Sequence, residues 1–384
     1  MSKNFPVDKF ENLRTPFYYY NMQLLEETLK EVAYCADLYD FDIHYAIKAN
    51  ANSELLKTIK KYNFGVDCVS GYEIERALSL GFSPEGIVYA GVGKADWEIE
   101  LGIDNNISCF NVESVVEMKI INQIAKEKNK VVNIAVRINP NVDADTHAYI
   151  TTGLDDNKFG INQIELDRVI RNLKKLSNLN LYGLHFHIGS QILNLNSFVE
   201  LTEKVNEIQD WFENQGFNPE IVNVGGGLGI DYDNPDENPI PNFREYFKIF
   251  NENLKLRDGQ KVHFELGRSI VGQCGTLITQ ALYVKQGTTK QFAIVDAGMT
   301  ELIRPALYGA YHKIENLSNS ESIEKYDIVG PICESSDTFG VDVELPKISR
   351  GDYIAIRSAG AYGEVMASQY NLRKLPESYF SDKI

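Results

Sequence analysis

The sequence predicts an α/β protein built as a (β/α)8 TIM-like barrel with a second, discontinuous all-β domain. Three observations predict it. Short β-branched or aromatic runs recur eight times between Ile43 and Gly267, with amphipathic stretches between them. The chemically unusual residues of that span fall at the C-terminal ends of different runs. After Arg268 the strand-like runs continue, but most of the amphipathic stretches between them are gone.

The runs, in order, are IHYAIK, GVDCVS, GIVYAG, ISCFNV, NIAVRIN, LYGLHFHIG, EIVNVGG and KVHFELG. The intervening stretches carry helical spacing. In SGYEIERALSL, Ile74, Ala77, Leu78 and Leu80 fall near one face, and in ESVVEMKIINQIAKEKNK so do Val115, Met118, Ile121, Ile124 and Ala125. Strands alternating with amphipathic helices imply parallel βαβ units. Eight of them within about 225 residues match a closed barrel, with an open doubly wound sheet as the alternative. The barrel is favoured because Lys48, Asp67, Arg137, His187, Gly225 and Glu265 all end strands, and in a barrel those ends converge on one mouth.

Beyond Arg268, GTLITQALYVKQ, KQFAIVDAGM, EKYDIVGPICE and GDYIAIRSAG read as strands joined by short loops. TPFYYYN, before the first helix, is also strand-like and is expected to join them. The expected division is therefore a barrel over 24–268 and a β domain made of 1–23 and 269–384.

Composition narrows the class. At 384 residues, with 43% hydrophobic and 24% charged, the chain can bury large cores without metal or disulfide staples. Thirty-eight basic residues against 54 acidic ones give −16, and no basic block offsets them, so a nucleic-acid partner is not expected. No apolar stretch approaches the ~20 residues that span a bilayer, so no membrane partner is expected either. MSKNFPVDKF lacks the pattern of a secretory signal. Five scattered cysteines without a CxxC pair argue against a disulfide framework or a zinc site, and a cytoplasmic enzyme is expected.

Several motifs carry candidate chemistry. Lys48 in HYAIKAN follows an apolar strand, where desolvation favours a neutral, nucleophilic amine. A rim lysine paired with a carboxylate is the plainer possibility. His185 and His187 in LHFHIGSQ share a strand face. His187 suits stacking on a planar ring or binding a metal, although His-x-His alone is a weak metal signal, whereas His185 reads as a satisfied core histidine. Gly225, Gly226 and Gly227 open GGGLG after an apolar strand, and their N–H groups suit an anion, with a tight turn that holds no ligand as the alternative; neither Rossmann nor P-loop spacing is present. Glu265 in HFELGR suits a protonated ring nitrogen, with an ordinary pair to Arg268 as the alternative. Three Gly-, Tyr- and Arg-rich clusters follow: Asp296–His312, Gly330–Asp337 with adjacent Cys333 and Glu334, and Ala359–Arg373. A lysine amine, a stacking histidine, a glycine cup and a carboxylate together suggest a pyridoxal-phosphate site.

From Thr15 to Arg373 the sequence resembles the fold-type III PLP-dependent decarboxylases, and among them the diaminopimelate decarboxylases. HYAIKAN, HFHIGSQ, GGGLGIDY, ELGR, DAGMTELIRPALYGAYH, GPICESSD and GAYGEVMASQYNLR occur in that family's order. The resemblance implies pyridoxal 5'-phosphate as cofactor, bound covalently by Lys48, with His187 on its ring and Glu265 at its pyridine nitrogen. It assigns the phosphate to Ser190, Gly225, Gly226, Gly227, Arg268 and Tyr362, and gives Asp67 and Arg137 supporting roles. It implies that Arg268, Arg304, Tyr308, Glu334 and Tyr362 contact substrate and that Cys333 donates a proton. It also implies a homodimer with shared active sites, and the reaction meso-2,6-diaminopimelate to L-lysine and CO2, the last step of lysine biosynthesis. Arg304 in LIRPALY offers a fork for a distal carboxylate that lysine and ornithine, as substrates, lack. A polyamine-pathway decarboxylase acting on ornithine, lysine or carboxynorspermidine is the alternative. Leu266 stands where the family often has proline, and Gly309 where related decarboxylases often have aspartate.

Overall fold

The computed structural model describes residues 5–142, 158–318 and 322–384. The chain divides into two compact units. One comprises Leu29–Gly229 and Asn242–Gly267, and the other Met1–Thr28, Ile230–Pro241 and Arg268–Ile384.

The first strand, β1 (Phe17–Tyr20), belongs to the second unit. The first unit is a closed barrel of β2 (Phe41–Ala46), β3 (Gly65–Cys68), β4 (Ile87–Tyr89), β5 (Cys109–Val112), β6 (Val132–Arg137), β7 (Leu179–His185), β8 (Ile221–Asn223) and β9 (Lys261–Leu266). All eight pairings are parallel, and β2 closes on β9 with His44 opposite Glu265. These strands are short and mostly buried, as sheets covered on both faces must be.

The helices between them form where the periodicity predicts. Ser70 and Ser114 cap Gly71–Ser79 and Val115–Glu127 by accepting from the N–H groups of Glu73 and Glu117. In the second of these helices Val115, Met118, Ile121, Ile124 and Ala125 are all buried. In the first, Ile74 and Ala77 are buried, whereas Leu78 and Leu80 sit at the edge of the apolar face.

The second unit is a sheet of β12 (Ile314–Asn316), β15 (Tyr353–Ile356), β10 (Gly275–Gln286), β11 (Gln291–Val295), β13 (Ile323–Val329) and β14 (Thr338–Pro346), in that order. β1 pairs antiparallel with β10 and parallel with β16 (Glu377–Phe380). Phe17, Tyr18 and Tyr20 are fully buried there. A register shift between Ala281 and Tyr283 divides β10, whose first half pairs with β15 and second half with β11.

The boundaries differ from the expected division at three places. Residues 24–28, 230–241 and Arg268 group with the β unit rather than with the barrel. Specific contacts draw the last two there. Arg268 Nη1 donates to Tyr232 Oη at 2.6 Å, Gln273 Nε2 to the carbonyl of Asp231 at 2.7 Å, and Arg357 Nη2 to Asp236 at 2.6 Å.

Candidate active site

The barrel's polar core is built from alternate strands. Asp67 lies on β3, Asn111 on β5, His185 ends β7 and Glu265 lies on β9. Taking one residue from every second strand is how barrels build an interior layer of four. Here all four are polar and buried. Glu265 is the hub. Its Oε1 accepts from Asn111 Nδ2 at 3.0 Å and from Asn223 Nδ2 at 2.8 Å, and its Oε2 pairs with His185 Nε2 at 3.0 Å. Burial opposes its charge, but His185 and Lys48 outweigh burial and hold its carboxyl well below the usual carboxylate range. Glu265 is thus a fixed, ionised carboxylate.

Lys48 sits just beyond β2, and its Nζ donates to Asp67 Oδ2 at 2.6 Å. The lysine side chain is partly exposed and Asp67 is not exposed at all. Burial first, then the charge of Glu265, push Asp67 up to about 6, against the pull of Lys48. Its Oδ1 is buried without a protein partner. Arg137 pairs with Glu113. Its Nη1 donates to Glu113 Oε1 at 2.9 Å, and Glu113 Oε2 accepts from the N–H of Gly160 at 2.8 Å.

His187 and the glycine loop are joined. The N–H of Gly226 donates to His187 Nδ1 at 3.3 Å, which makes Nδ1 an acceptor. Burial, then Arg137 and Lys48, hold His187 well below the usual histidine range, so it is a flat, neutral ring. The loop is packed as tightly as glycine allows. A Cβ on Gly225, at φ +69°, would lie 2.4 Å from the carbonyl of Phe186. One on Gly226 would lie 2.0 Å from the carbonyl of Glu265. Two of the three N–H groups expected to face an anion are engaged inside the barrel, because that of Gly225 donates to Asn223 Oδ1 at 2.9 Å and that of Gly226 to His187. The N–H of Ile192 donates to the carbonyl of Gly227 at 2.9 Å, which ties the loop carrying Ser190 to the glycine loop.

The β unit gathers a second set of predicted residues. Arg268 and Arg304 are both buried and both donate to Tyr232 Oη, at 2.6 and 3.4 Å. Arg268 lies over the ring of Tyr362 at 4.9 Å, and Arg304 over that of Tyr308 at 5.9 Å. Cys333 and Glu334 are exposed, and Glu334 Oε1 accepts from Tyr370 Oη at 2.8 Å.

Sequence reasoning missed several of these residues. Asn111, Asn223 and Glu113 are polar residues at the ends of buried strands, which was the available signal. His185 does more than fill the core, since it holds Glu265. Tyr232 and His312 gave no signal beyond their place in motifs. Together the barrel groups can hold pyridoxal phosphate: an amine, an ionised carboxylate for a ring nitrogen, a neutral flat ring and a glycine loop of close approach. The unpartnered Oδ1 of buried Asp67 is a further polar group available to a ligand. No group of three or more metal-ligating side chains occurs among the described residues.

Comparison with known proteins agrees. Residues 23–272 match the pyridoxal-dependent decarboxylase family, pyridoxal binding domain. A diaminopimelate decarboxylase of Bacteroides thetaiotaomicron is 56% identical over 99% of both chains. One from Aquifex aeolicus is 43% identical over 94% of this chain and 84% of its own. The crystal structure of diaminopimelate decarboxylase from Helicobacter pylori with L-lysine superposes with a TM-score of 0.92, at 42% identity, over 98% of this chain and 94% of that one. A lysine/ornithine decarboxylase from Vibrio vulnificus, at 19% identity and a TM-score of 0.85, shares the fold. The chain belongs to the pyridoxal-dependent decarboxylases, in their diaminopimelate decarboxylase branch, and its cofactor is pyridoxal phosphate.

Proposed function

We propose that the chain decarboxylates meso-2,6-diaminopimelate to L-lysine and CO2, the last step of lysine biosynthesis. One observation carries the choice of substrate. Arg304 is a buried guanidinium held by an imidazole and a phenol rather than by a carboxylate, so its charge is left for a ligand. A diaminopimelate that reacts at one end still presents a carboxylate at the other.

Bound pyridoxal phosphate supplies an electron sink for the pair left at Cα when CO2 departs. The chain's own groups do the rest. Lys48 supplies the amine that anchors the cofactor, and Asp67 keeps that amine in place. Glu265 holds a proton at the pyridine nitrogen, and His187 packs on the ring. Ser190, Gly227 of the glycine loop, Arg268 and Tyr362 serve the phosphate. Arg304 takes the distal carboxylate, with Tyr308 beside it, and Glu334 takes the distal ammonium. Cys333 Sγ returns a proton to Cα. We infer that the enzyme is a homodimer in which Cys333 and Glu334 of one copy serve the other copy's site, in keeping with their exposure on a single chain. The division of labour is accordingly cofactor on the barrel, and substrate and interface residues on the β unit. Five free cysteines support a cytoplasmic setting.

The test offers the purified protein with pyridoxal phosphate a panel of meso-diaminopimelate, L-lysine, L-ornithine and carboxynorspermidine, and measures CO2. Release from meso-diaminopimelate with the highest kcat/KM is expected. Preference for ornithine or carboxynorspermidine would overturn the proposal.

A further inference from the structure

We propose that His312 is a positioning residue that sets substrate specificity. As a neutral acceptor it fixes the Arg304 guanidinium without cancelling its charge. The inference rests on the reading of Arg304 given above and deepens it.

The geometry defines which nitrogen carries the proton. His312 Nδ1 lies 2.8 Å from the main-chain oxygen of Arg357. A carbonyl oxygen only accepts, so Nδ1 bears the hydrogen. Nε2 then keeps its lone pair, and it accepts from Arg304 Nε at 3.3 Å. A doubly protonated ring would aim an N–H at a guanidinium N–H and set two cations side by side. Burial first, and then Arg304, accordingly hold His312 down to about 3. The carbonyl that orients the ring is itself anchored, because the Arg357 side chain pairs with Asp236 and Glu315 at 2.6 Å each.

The second anchor is of the same kind. Arg304 Nη2 and Arg268 Nη1 share the phenol oxygen of Tyr232, whose ring meets that of His312 edge-on at 5.2 Å. A phenol oxygen accepts without neutralising. Besides burial, the groups that act most on Arg304 are Tyr232, Arg268, Tyr362 and Tyr308, and none of them is a carboxylate. A carboxylate in place of His312 would hold the guanidinium equally well, but a ligand's carboxylate would then have to compete with it. The two demands, fixed geometry and unspent charge, are met only by a neutral acceptor.

The experiment compares His312→Gln, His312→Leu and His312→Glu in the cofactor-loaded enzyme. Gln and Glu both place an oxygen near the Nε2 position, but only Glu brings charge. We measure kcat and KM for meso-diaminopimelate and the inhibition constants of L-lysine, which retains a carboxylate, and cadaverine, which has none. His312→Gln is expected within about threefold of wild type, and His312→Leu and His312→Glu about tenfold or more weaker in KM and in L-lysine binding. Their kcat should move less and their cadaverine binding not at all. Equal L-lysine affinity in the Gln and Glu variants would overturn the proposal, even if His312→Leu fails to fold. So would a parallel loss of L-lysine and cadaverine binding with a lowered Tm, which marks a merely structural residue. If the wild type does not turn over meso-diaminopimelate, the substrate reading fails. The ratio of L-lysine to cadaverine affinity would then still decide the role of His312.

Discussion

Glu265 and Asp67 share one barrel interior, yet their carboxyls move in opposite directions. Three partners hold Glu265 ionised, while Asp67 has one partner on Oδ2 and none on Oδ1. Glu265→Gln should fold and bind cofactor but lose kcat by about a hundredfold or more, as expected when a group that stabilises developing charge is removed. Steady-state kinetics against the absorbance of the loaded protein separates the two effects. Lys48→Ala should abolish that visible absorbance altogether, and full turnover in this variant would sink the cofactor assignment. For Asp67 the sign of the pH effect can be worked out. Its pKa rises from 3.8 to about 6 on folding, so between those values the native state holds the extra proton. This contribution to stability therefore falls as pH rises through that window. Asp67→Asn should therefore steepen the rise of the urea midpoint with pH between about 4 and 6 in the cofactor-free protein.

At the scale of elements, the turn after β8 decides where Glu265 sits. The Gly226 backbone approaches the Glu265 carbonyl so closely that no side chain fits. Gly226→Ala must shift either the loop or the end of β9, at a cost of about 1–3 kcal/mol. Chemical denaturation should register that cost, and cofactor affinity should fall with it. A normal midpoint together with normal affinity would show that the close approach is unnecessary. The run TPFYYYN has a comparable role in the other unit. Its strand character and its membership of the β domain were legible, and the four buried residues Phe17–Tyr20 suit a strand covered on both faces. Its partners β10 and β16, both remote in sequence, were not legible.

For the whole molecule, the proposed dimer makes a prediction that a monomer cannot satisfy. Lys48→Ala and Cys333→Ala chains, each inactive alone, should recover about a quarter of wild-type activity when mixed and reassembled. Half the dimers would then be mixed, each with one intact site. No recovery, with dimers shown by sedimentation, would place Cys333 in its own chain's site. Acid stability is also a property of the whole molecule. His44 and His312 are both buried neutral, with values near 3, so the unfolded chain takes up protons below about 6.5 that the native state refuses. Stability should fall as pH drops from about 6.5 toward 3, opposite in sign to the Asp67 effect. A His44→Gln variant should show a shallower acid limb in urea titrations at successive pH values.

The sequence by itself determined the strand rhythm, the barrel and its β partner, and it put forward Lys48, His187 and Glu265 as candidates at strand ends, with Arg304 reached through the family resemblance. Periodicity is local, and a charged or aromatic residue at the end of an apolar strand stands out. What surrounds those residues was decided only in three dimensions. Asn111 and Asn223 meet Glu265 across 154 and 42 residues of chain, and Tyr232 reaches Arg304 across 72. The segment Ile230–Pro241 read as a barrel loop because its contacts with Arg268, Gln273 and Arg357 leave no trace in neighbouring residues. Protonation states belong to the same class. Whether a carboxyl is held down or pushed up depends on burial and on distant partners, and only the folded chain brings those together.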